Sequence, residues 1–273
     1  MIDKDKKVMS YTISKACEII NRHNFKTITL QFPDEVANLC TDIYDQFIQL
    51  LGNDEISIFI AADSTYGSSI DDISALHVDS DVLVYFGSDL SSSGSIPVIL
   101  LPALRSFDIT SCLDRINTAL DISDDVSSSN NVLLFYEPCY TQSVRDLYAS
   151  LLNIYPNIST TITLASLPPF ADLDNWDASK PNTTLTNDSI TASTSANANN
   201  YTLVGGLLCD KALVDTPDTI VLYIGDKQEQ LINIYLHMSS NKVITYSPYT
   251  DTIDTKPRGD NTREFTQRTG GIL

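Results

Sequence analysis

The stretch "AADSTYGSSIDDISALHVDSDVLVYFGSDLS", residues 61–91, holds the side chains with the clearest chemical potential. Asp63, Tyr66 and Ser69 stand in a turn of small residues that directly follows an apolar run of strand length. In open α/β sheets, small ligands bind where the strands reach their carboxyl ends. We therefore expect Asp63 and Tyr66 to line a pocket at this edge, where a small ligand would bind. The alternative is that Asp63 only caps the turn that follows it.

Three more loops are predicted to follow strands and to share that carboxyl edge. The four together are "QFPDE" (31–35), "ADSTYGSS" (62–69), "FGSDLSSSG" (86–94) and "GGLLCD" (205–210). The sequence contains neither G-x-G-x-x-G nor G-x-x-x-x-G-K-[ST], so no phosphate-binding loop is recognisable. It also lacks the G-x-S-x-G elbow of serine hydrolases. The three histidines have no partner at metal-ligand spacing and are expected at surfaces or helix ends.

Alternating helical and strand patterns over the first hundred residues position these loops. A helix over residues 12–23 is followed by the strand "KTITLQF", after which Asp34 is expected to cap a second helix. The next strands are "ISIFIAA", "DVLVYFG" and "IPVILL", with a short helix over 70–78 after the first of them. Such continuous apolar runs are typical of parallel strands that are buried on both faces.

A second unit of the same kind begins near residue 108. Its predicted strands are "NVLLFY", "TTITLA", "YTLVGGLL", "TIVLYIG" and "KVITYS", with helices to residue 120, over 140–154 and over 227–239. Residues 170–201 are rich in Asn, Ser and Thr and are predicted to be a disordered insertion. The predicted fold is α/β, with two doubly wound parallel-sheet units in tandem, residues 1–107 and 108–255.

The chain is strongly acidic, with 35 acidic against 17 basic side chains and a net charge of −18. Nucleic acid is therefore not expected as a partner, because phosphate binding depends on Lys and Arg. Between Thr27 and Leu104 there are twelve carboxylates and no Lys or Arg. That surface either attracts a basic partner or simply keeps the protein soluble. A charged N-terminus and the lack of a run of ~20 apolar residues predict a cytoplasmic protein without a membrane span.

The five cysteines lie far apart and show no C-x-x-C spacing. This pattern indicates neither a disulfide framework nor a zinc site. Cys17, Cys40 and Cys112 fall on apolar helical faces and are expected to be small core residues. Cys139 and Cys209 follow strand patterns, and their roles stay open at this point.

The motif "LQFPDE" and the stretch at residues 61–91 resemble the first domain of the diphthamide synthesis proteins. That family shows LQFP, then D-[ST]-x-Y-G-x-C-C-V-D and H-Y-G-x-x-C-L. The resemblance continues through "TIVLYIGDKQEQLINIYLH", "VITYSPYT" and "NTREFTQRTGGIL" and covers nearly the whole chain except the predicted insertion. It implies that residues 256–273 begin a third domain, the rest of which is missing. A shortened protein and an incomplete sequence both agree with this.

The resemblance implies a part in the first step of diphthamide formation. In that step the 3-amino-3-carboxypropyl group of S-adenosylmethionine moves to a histidine of elongation factor 2. The family uses a 4Fe-4S cluster held by three cysteines, and in eukaryotes the enzyme is a heterodimer of two unequal subunits. This chain resembles the second, non-catalytic subunit, which supports a catalytic subunit. The cluster of that partner is re-reduced by a small iron protein and its reductase.

The expected cluster ligands are replaced in this chain. Where the family places cysteines after D-[ST]-x-Y-G and after H-Y-G, this sequence has Ser69 and Leu90. A serine hydroxyl is much harder to ionise than a thiol, and leucine offers no donor atom. "GGLLCD" resembles the place of another family cysteine, so Cys209 is either an iron ligand or a buried strand-end residue. One thiolate alone does not hold a cubane cluster, so no functional cluster is expected in this chain alone.

Two other function classes remain open on the sequence. One is an independent α/β enzyme that binds a small ligand at the carboxyl edge, which would require a complete ligand set. The other is a degenerate, cluster-free scaffold that no longer takes part in diphthamide synthesis. Loss of the modification on deletion of the gene would exclude the scaffold.

Overall fold

The computed structural model describes residues 2–52, 55–61, 69–90, 96–120, 131–154, 162–176 and 200–256. The chain forms two compact units, each built on a sheet of mainly parallel strands. The first unit comprises residues 1–104 and 167–198, and the second comprises residues 105–166 and 199–273. The predicted class, α/β with parallel sheets, is confirmed.

The sheet of the first unit contains four parallel strands in the order β2-β1-β3-β4. They are β1 (Thr27–Gln31), β2 (Ser57–Ile60), β3 (Val82–Tyr85) and β4 (Val98–Leu100). The strands β3 and β4 are buried throughout and β1 nearly so, as their continuous apolar sequences predict. The edge strand β2 is largely exposed.

Helices α1 (Ile2–His23) and α2 (Cys40–Leu51) pack against one face of this sheet, where Ile20 and Phe47 are fully buried. The prediction that Asp34 caps a helix is wrong. The chain instead enters α2 through a 3₁₀ turn, Asp34–Leu39, whose N-cap position is occupied by Pro33. The short helix α3 (Asp72–Leu76) is capped by Asp71, which accepts from the backbone N–H of Ile73 at 3.0 Å.

Residues 167–176 belong to the first unit and are packed against it. Trp176 is buried, and its indole N–H donates to the carbonyl of Val98 at 2.9 Å. The backbone N–H of Leu100 donates to the carbonyl of Phe170 at 3.1 Å. The beginning of the segment predicted as a disordered insertion is thus structured, because its aromatic side chains bury apolar surface. Residues 177–199 lie outside the described residues.

The sheet of the second unit has the order β11-β10-β9-β5-β6. Its strands are β5 (Val132–Tyr136), β6 (Ile162–Leu164), β9 (Ile220–Ile224), β10 (Val243–Ser247) and β11 (Thr252–Lys256). All pairings are parallel except that of β10 with β11, a strand that the sequence pattern did not predict. The expected third-domain boundary at residue 256 falls on the last residue of β11, and residues 257–273 are outside the described residues.

The prediction that "YTLVGGLL" forms one strand of this sheet is wrong. The segment is an antiparallel hairpin of β7 (Tyr201–Val204) and β8 (Leu207–Asp210). Gly205 and Gly206 connect the strands with φ of 57° and 79°. Two successive positive φ angles are what a two-residue hairpin turn of type I′ requires, and glycine adopts them without a Cβ clash.

The helices of the second unit are α4 (Ile109–Leu120), α5 (Thr141–Ile154), α6 (Lys211–Val214) and α7 (Gln228–His237), with a 3₁₀ turn at Pro138–Tyr140. The carboxylate of Asp108 caps α4 by accepting from the N–H of Thr110 at 2.9 Å. Cys17 and Cys112 are core residues as predicted, and Cys40 is half-buried. Within the described part of the chain, no helix combines the length and apolar character needed to cross a membrane.

Candidate functional site

The carboxyl edge of the first sheet is organised by Gln31, the last residue of β1. Its side chain is buried, with 4% of its surface exposed. The amide nitrogen donates to the carbonyl of Ser69 at 3.0 Å, and the amide oxygen accepts from the N–H of Asp71 at 3.0 Å. A side-chain amide has one donating and one accepting end, which matches these two backbone groups. Gln31 therefore fixes to the sheet the end of the loop that carries the candidate chemistry.

Of the residues predicted for this edge, the structure describes Ser69 and Leu90 but not Asp63 and Tyr66. Asp63 and Tyr66 lie outside the described residues, so their place in a pocket stays a prediction. Ser69 is exposed and follows β2, whereas Leu90 follows β3 and has only 8% of its surface exposed. Since β1 lies between these strands, the two loops leave the sheet about 10 Å apart. Ser69 and Leu90 thus share one sheet edge, but the leucine side chain is part of the interior.

The turn after β3 is closely packed. Phe86 stacks on Phe32 with ring centroids 4.6 Å apart and an angle of 8° between the ring planes. The phenol oxygen of Tyr85 lies so near Gly87 that a Cβ added there would be 2.0 Å from it. Only glycine fits this position without displacing the buried tyrosine ring.

The second unit has a corresponding polar centre at Glu137, which the sequence analysis did not select. Glu137 directly follows β5 and has 5% of its surface exposed. Its Oε1 accepts from the backbone N–H groups of Asp226 and Lys227 and from the phenol of Tyr223, the last at 3.3 Å. Burial, followed by the charge of Glu137, raises the pKa of Tyr223, so the phenol stays protonated and can donate. Glu137 therefore holds the loop that follows β9.

Further contacts surround Glu137. Asp226 accepts hydrogen bonds from the hydroxyl of Ser247 and from the phenol of Tyr140, the latter at 3.4 Å. Burial raises the pKa of Tyr140 to about 12, so this phenol too remains a donor. The side-chain amide of Gln230 donates to the carbonyl of Gly205 at 2.8 Å. These polar groups form hydrogen bonds with one another, and the bonds hold the surrounding loops in position.

The two cysteines that the sequence left open are both buried thiols, and Cys209 as an iron ligand stays a prediction. Cys209 lies in β8 with 2% of its surface exposed, and burial raises the pKa of its thiol. The thiol of Cys139 donates to Oε2 of Glu137 at 3.5 Å, and burial and this carboxyl group raise its pKa. Iron binds the thiolate, which both environments disfavour. The expectation that "GGLLCD" lies at the edge of a parallel sheet is wrong, since it forms the turn and second strand of the β7–β8 hairpin.

The residues present do not fit a 4Fe-4S cluster. Ser69 offers a hydroxyl and Leu90 only hydrocarbon, and Cys209 is a buried thiol. Among the residues that the structure describes, no group of three or more His, Cys, Asp and Glu side chains could hold a metal ion. Cluster binding ordinarily requires three or four thiolates.

Comparison with protein families decides what the chain is related to. The family described as "Putative diphthamide synthesis protein" matches residues 32–272. The chain belongs to the diphthamide synthesis protein family. The resemblance to this family that the sequence predicts is thereby confirmed.

Individual proteins that are similar to this chain support its membership of the diphthamide synthesis protein family. A zebrafish (Danio rerio) protein is 26% identical over 153 residues, which are 55% of this chain and 29% of that protein. A protein from Cryptococcus neoformans is 21% identical over 255 residues, which are 89% of this chain and 44% of that protein. Both are named 2-(3-amino-3-carboxypropyl)histidine synthase subunit 2. The matched residues thus span less than half the length of these relatives.

The crystal structure of Dph2 from Pyrococcus horikoshii, described with a 4Fe-4S cluster, is similar in fold. The TM-score is 0.58 and the sequence identity is 14%. The likeness covers 95% of this chain and 64% of the archaeal one. At this identity the comparison supports the α/β fold and leaves the chemistry of this chain to its own residues.

Proposed function

We propose that this chain is the second, non-catalytic subunit of the heterodimer that performs the first step of diphthamide biosynthesis. The heterodimer transfers the 3-amino-3-carboxypropyl group from S-adenosylmethionine to a histidine of elongation factor 2 in the cytoplasm. The names of the zebrafish and Cryptococcus relatives, both a subunit 2 of the synthase, support this assignment.

The observation that carries the non-catalytic part of the proposal is the replacement of the cluster ligands. Ser69 and Leu90 are degenerate ligand positions, and Cys209 is a thiol buried in a hairpin. The 4Fe-4S cluster belongs to the catalytic subunit, and a small iron protein supplies its electrons. This chain completes and orients that subunit, with Asp63 and Tyr66 lining what remains of its own pocket.

The test is to co-express the full chain with the catalytic subunit, purify the pair without oxygen, and measure iron and transfer onto elongation factor 2. We expect about four iron atoms per heterodimer, the content of one cubane cluster. We expect transfer to disappear when this chain is omitted. Full activity of the catalytic subunit by itself, or two clusters per pair, would contradict the proposal.

A matched pair of variants isolates Cys209. Cys209→Ala removes the thiol in question, and Cys112→Ala removes a fully buried thiol in α4 as a control for lost packing. We expect both variants to keep the same iron content per heterodimer. Iron loss in Cys209→Ala alone would show that this chain contributes a ligand.

A further inference from the structure

The edge strand β2 differs from the other strands of its sheet. Phe59 and Ile60 have 40% and 41% of their surfaces exposed, whereas β3 and β4 are buried throughout. Ile58 packs against the core of the first unit, so by strand alternation Ile60 is on that face and Phe59 on the opposite one. The strand therefore exposes apolar side chains on both faces.

Among the described residues, β2 pairs on one side only, with β1. The N–H of Ser57 donates to the carbonyl of Lys26, just before β1, at 2.8 Å, and the N–H of Ala61 donates to the carbonyl of Leu30 in β1 at 2.9 Å. Alternate residues of a paired strand direct their backbone groups to opposite sides, so the N–H of Ile60 points away from β1. Proteins usually protect such an edge with Lys, Pro or a bulge, but the sequence "SIFI" has neither Lys nor Pro.

The charge of the first unit selects the kind of partner. Residues 27–104, which include β2, carry twelve carboxylates and no Lys or Arg, and Lys26 beside the start of β2 is already paired with the exposed Glu55. A second copy of this chain would place the same acidic surface against itself, and like charges across an interface are unfavourable. A strand flanked by Lys or Arg would instead gain attraction on approach.

We propose that β2 is the docking edge for an extended segment of another polypeptide, with apolar side chains and flanking basic residues, which adds a fifth strand to the first sheet. The inference rests on the proposed function, under which the catalytic subunit supplies this segment. Strand addition would cover Phe59 and Ile60 and satisfy the outward backbone groups.

The test measures the dissociation constant of the heterodimer with full-length chains. Ile60→Pro removes the outward N–H but no hydrogen bond to β1, and Ile60→Thr keeps that N–H as a matched control. We expect the proline variant to bind about tenfold more weakly than the threonine variant, which corresponds to one lost main-chain hydrogen bond. We also expect binding of the wild-type chain to weaken as salt is added.

A second variant keeps the test decisive if the proline lowers stability. Phe59→Lys leaves the backbone intact and places a cation opposite the basic partner, and Leu236→Lys makes the same change at an exposed leucine of α7 in the second unit. We expect weaker pairing only for Phe59→Lys.

Each other outcome has a definite meaning. Normal pairing of Ile60→Pro and Phe59→Lys would overturn the docking edge and leave the proposed function intact. Absence of any pair with the wild-type chain would overturn both. A homodimer of the wild-type chain that Ile60→Pro abolishes would assign β2 to a second copy and overturn the heterologous partner.

Discussion

The carboxyl edges of the two sheets have similar turns, but different polar side chains are buried beside them. The first unit has "YFG" (85–87) at the end of β3, and the second has "YIG" (223–225) at the end of β9. In each unit the phenol oxygen of the tyrosine lies against the glycine. A Cβ added at Gly87 would be 2.0 Å from the oxygen of Tyr85, and one added at Gly225 would be 2.8 Å from that of Tyr223. A buried polar residue lies at the end of the neighbouring strand in each unit. Gln31 is the last residue of β1, beside β3, and Glu137 directly follows β5, beside β9.

The difference between these two side chains follows from the loops that they hold. Gln31 meets one carbonyl and one N–H, so it needs a donor and an acceptor. Glu137 meets two backbone N–H groups and a phenol, so it needs only acceptors. An amide suits the first set and a carboxyl group the second. The backbone groups that a loop presents therefore agree with the residue type found at each position.

Removing the carboxyl group of Glu137 tests this comparison most severely. Glu137→Ala leaves the N–H groups of Asp226 and Lys227 without their acceptor, and we expect a loss of about 4 kcal/mol in the free energy of unfolding. Glu137→Gln is the control, because its oxygen can still accept all three hydrogen bonds, and we expect a loss of about 1 kcal/mol. Urea unfolding measures both. Equal losses would show that the charge matters and the acceptor position does not.

Alanine at the two glycines tests the packing beneath each turn. The Cβ of Gly87→Ala would overlap the buried Tyr85 ring, with 2.1 Å to Cζ, so we expect a loss of about 3 kcal/mol. In Gly225→Ala the nearest atoms are Cγ and Oε1 of Glu137 at 2.7 Å, and we expect about 2 kcal/mol.

Coupling between neighbouring sites separates the two glycine effects. Since the overlap at Gly225 is with Glu137, the variant Gly225→Ala should cost less in a Glu137→Ala background. Gly87→Ala, in the other unit, should cost the same in both backgrounds. Additive losses at Gly225 would show that its environment is not set by Glu137.

The sequence predicts the strands of both sheets except β11, and the buried ones leave the most direct mark, a continuous apolar run such as "VLVY" or "IVLYI". Glu137 leaves no such mark, since its partners at Asp226 and Lys227 come about ninety positions later in the chain. The hairpin at Gly205 and Gly206 leaves a detectable mark, because Gly-Gly between two apolar runs is a turn signal. Treating "YTLVGGLL" as one apolar run overlooks that signal.

The substitution Gln31→Glu, the reverse of Glu137→Gln, is expected to lower the free energy of unfolding by a moderate amount. Gln31→Glu replaces the donor to the carbonyl of Ser69 with an acceptor, and we expect a loss of about 1.5 kcal/mol at pH 7. A protonated carboxyl group can donate, so the folded state should raise the pKa of the new glutamate. The deficit relative to the wild type should then be small below about pH 4, the ordinary range of a glutamate, and grow as the pH rises. Chemical unfolding between pH 4 and 8 measures it, and a deficit independent of pH would contradict the donor role of Gln31.

The two units also differ in their surface ion pairs, whose expected effect on stability is the smallest of those considered. In the first unit Lys26 binds Glu55 through one contact of 2.9 Å. In the second unit Arg115 binds both oxygens of Asp251, at 3.0 and 2.7 Å, and Asp251 also accepts from Tyr246 and Ser111 at 2.9 Å. A bidentate pair with further donors is better fixed than a single contact between flexible side chains.

The pH dependence of Asp251 follows from these contacts. The hydrogen bond from Arg115, followed by that from Tyr246, lowers the pKa of Asp251 from 3.8 to about 2. A carboxyl group whose pKa is lower in the folded state stabilises the fold above its unfolded value, and that contribution is lost as the pH falls through the folded value. Between pH 4 and 2, the thermal midpoint of the wild-type chain should therefore fall more steeply than that of Asp251→Asn. Lys26→Ala should leave this slope unchanged, because a single exposed pair contributes little, and equal slopes for all three proteins would show that the Arg115 network is no stronger than the Lys26 pair.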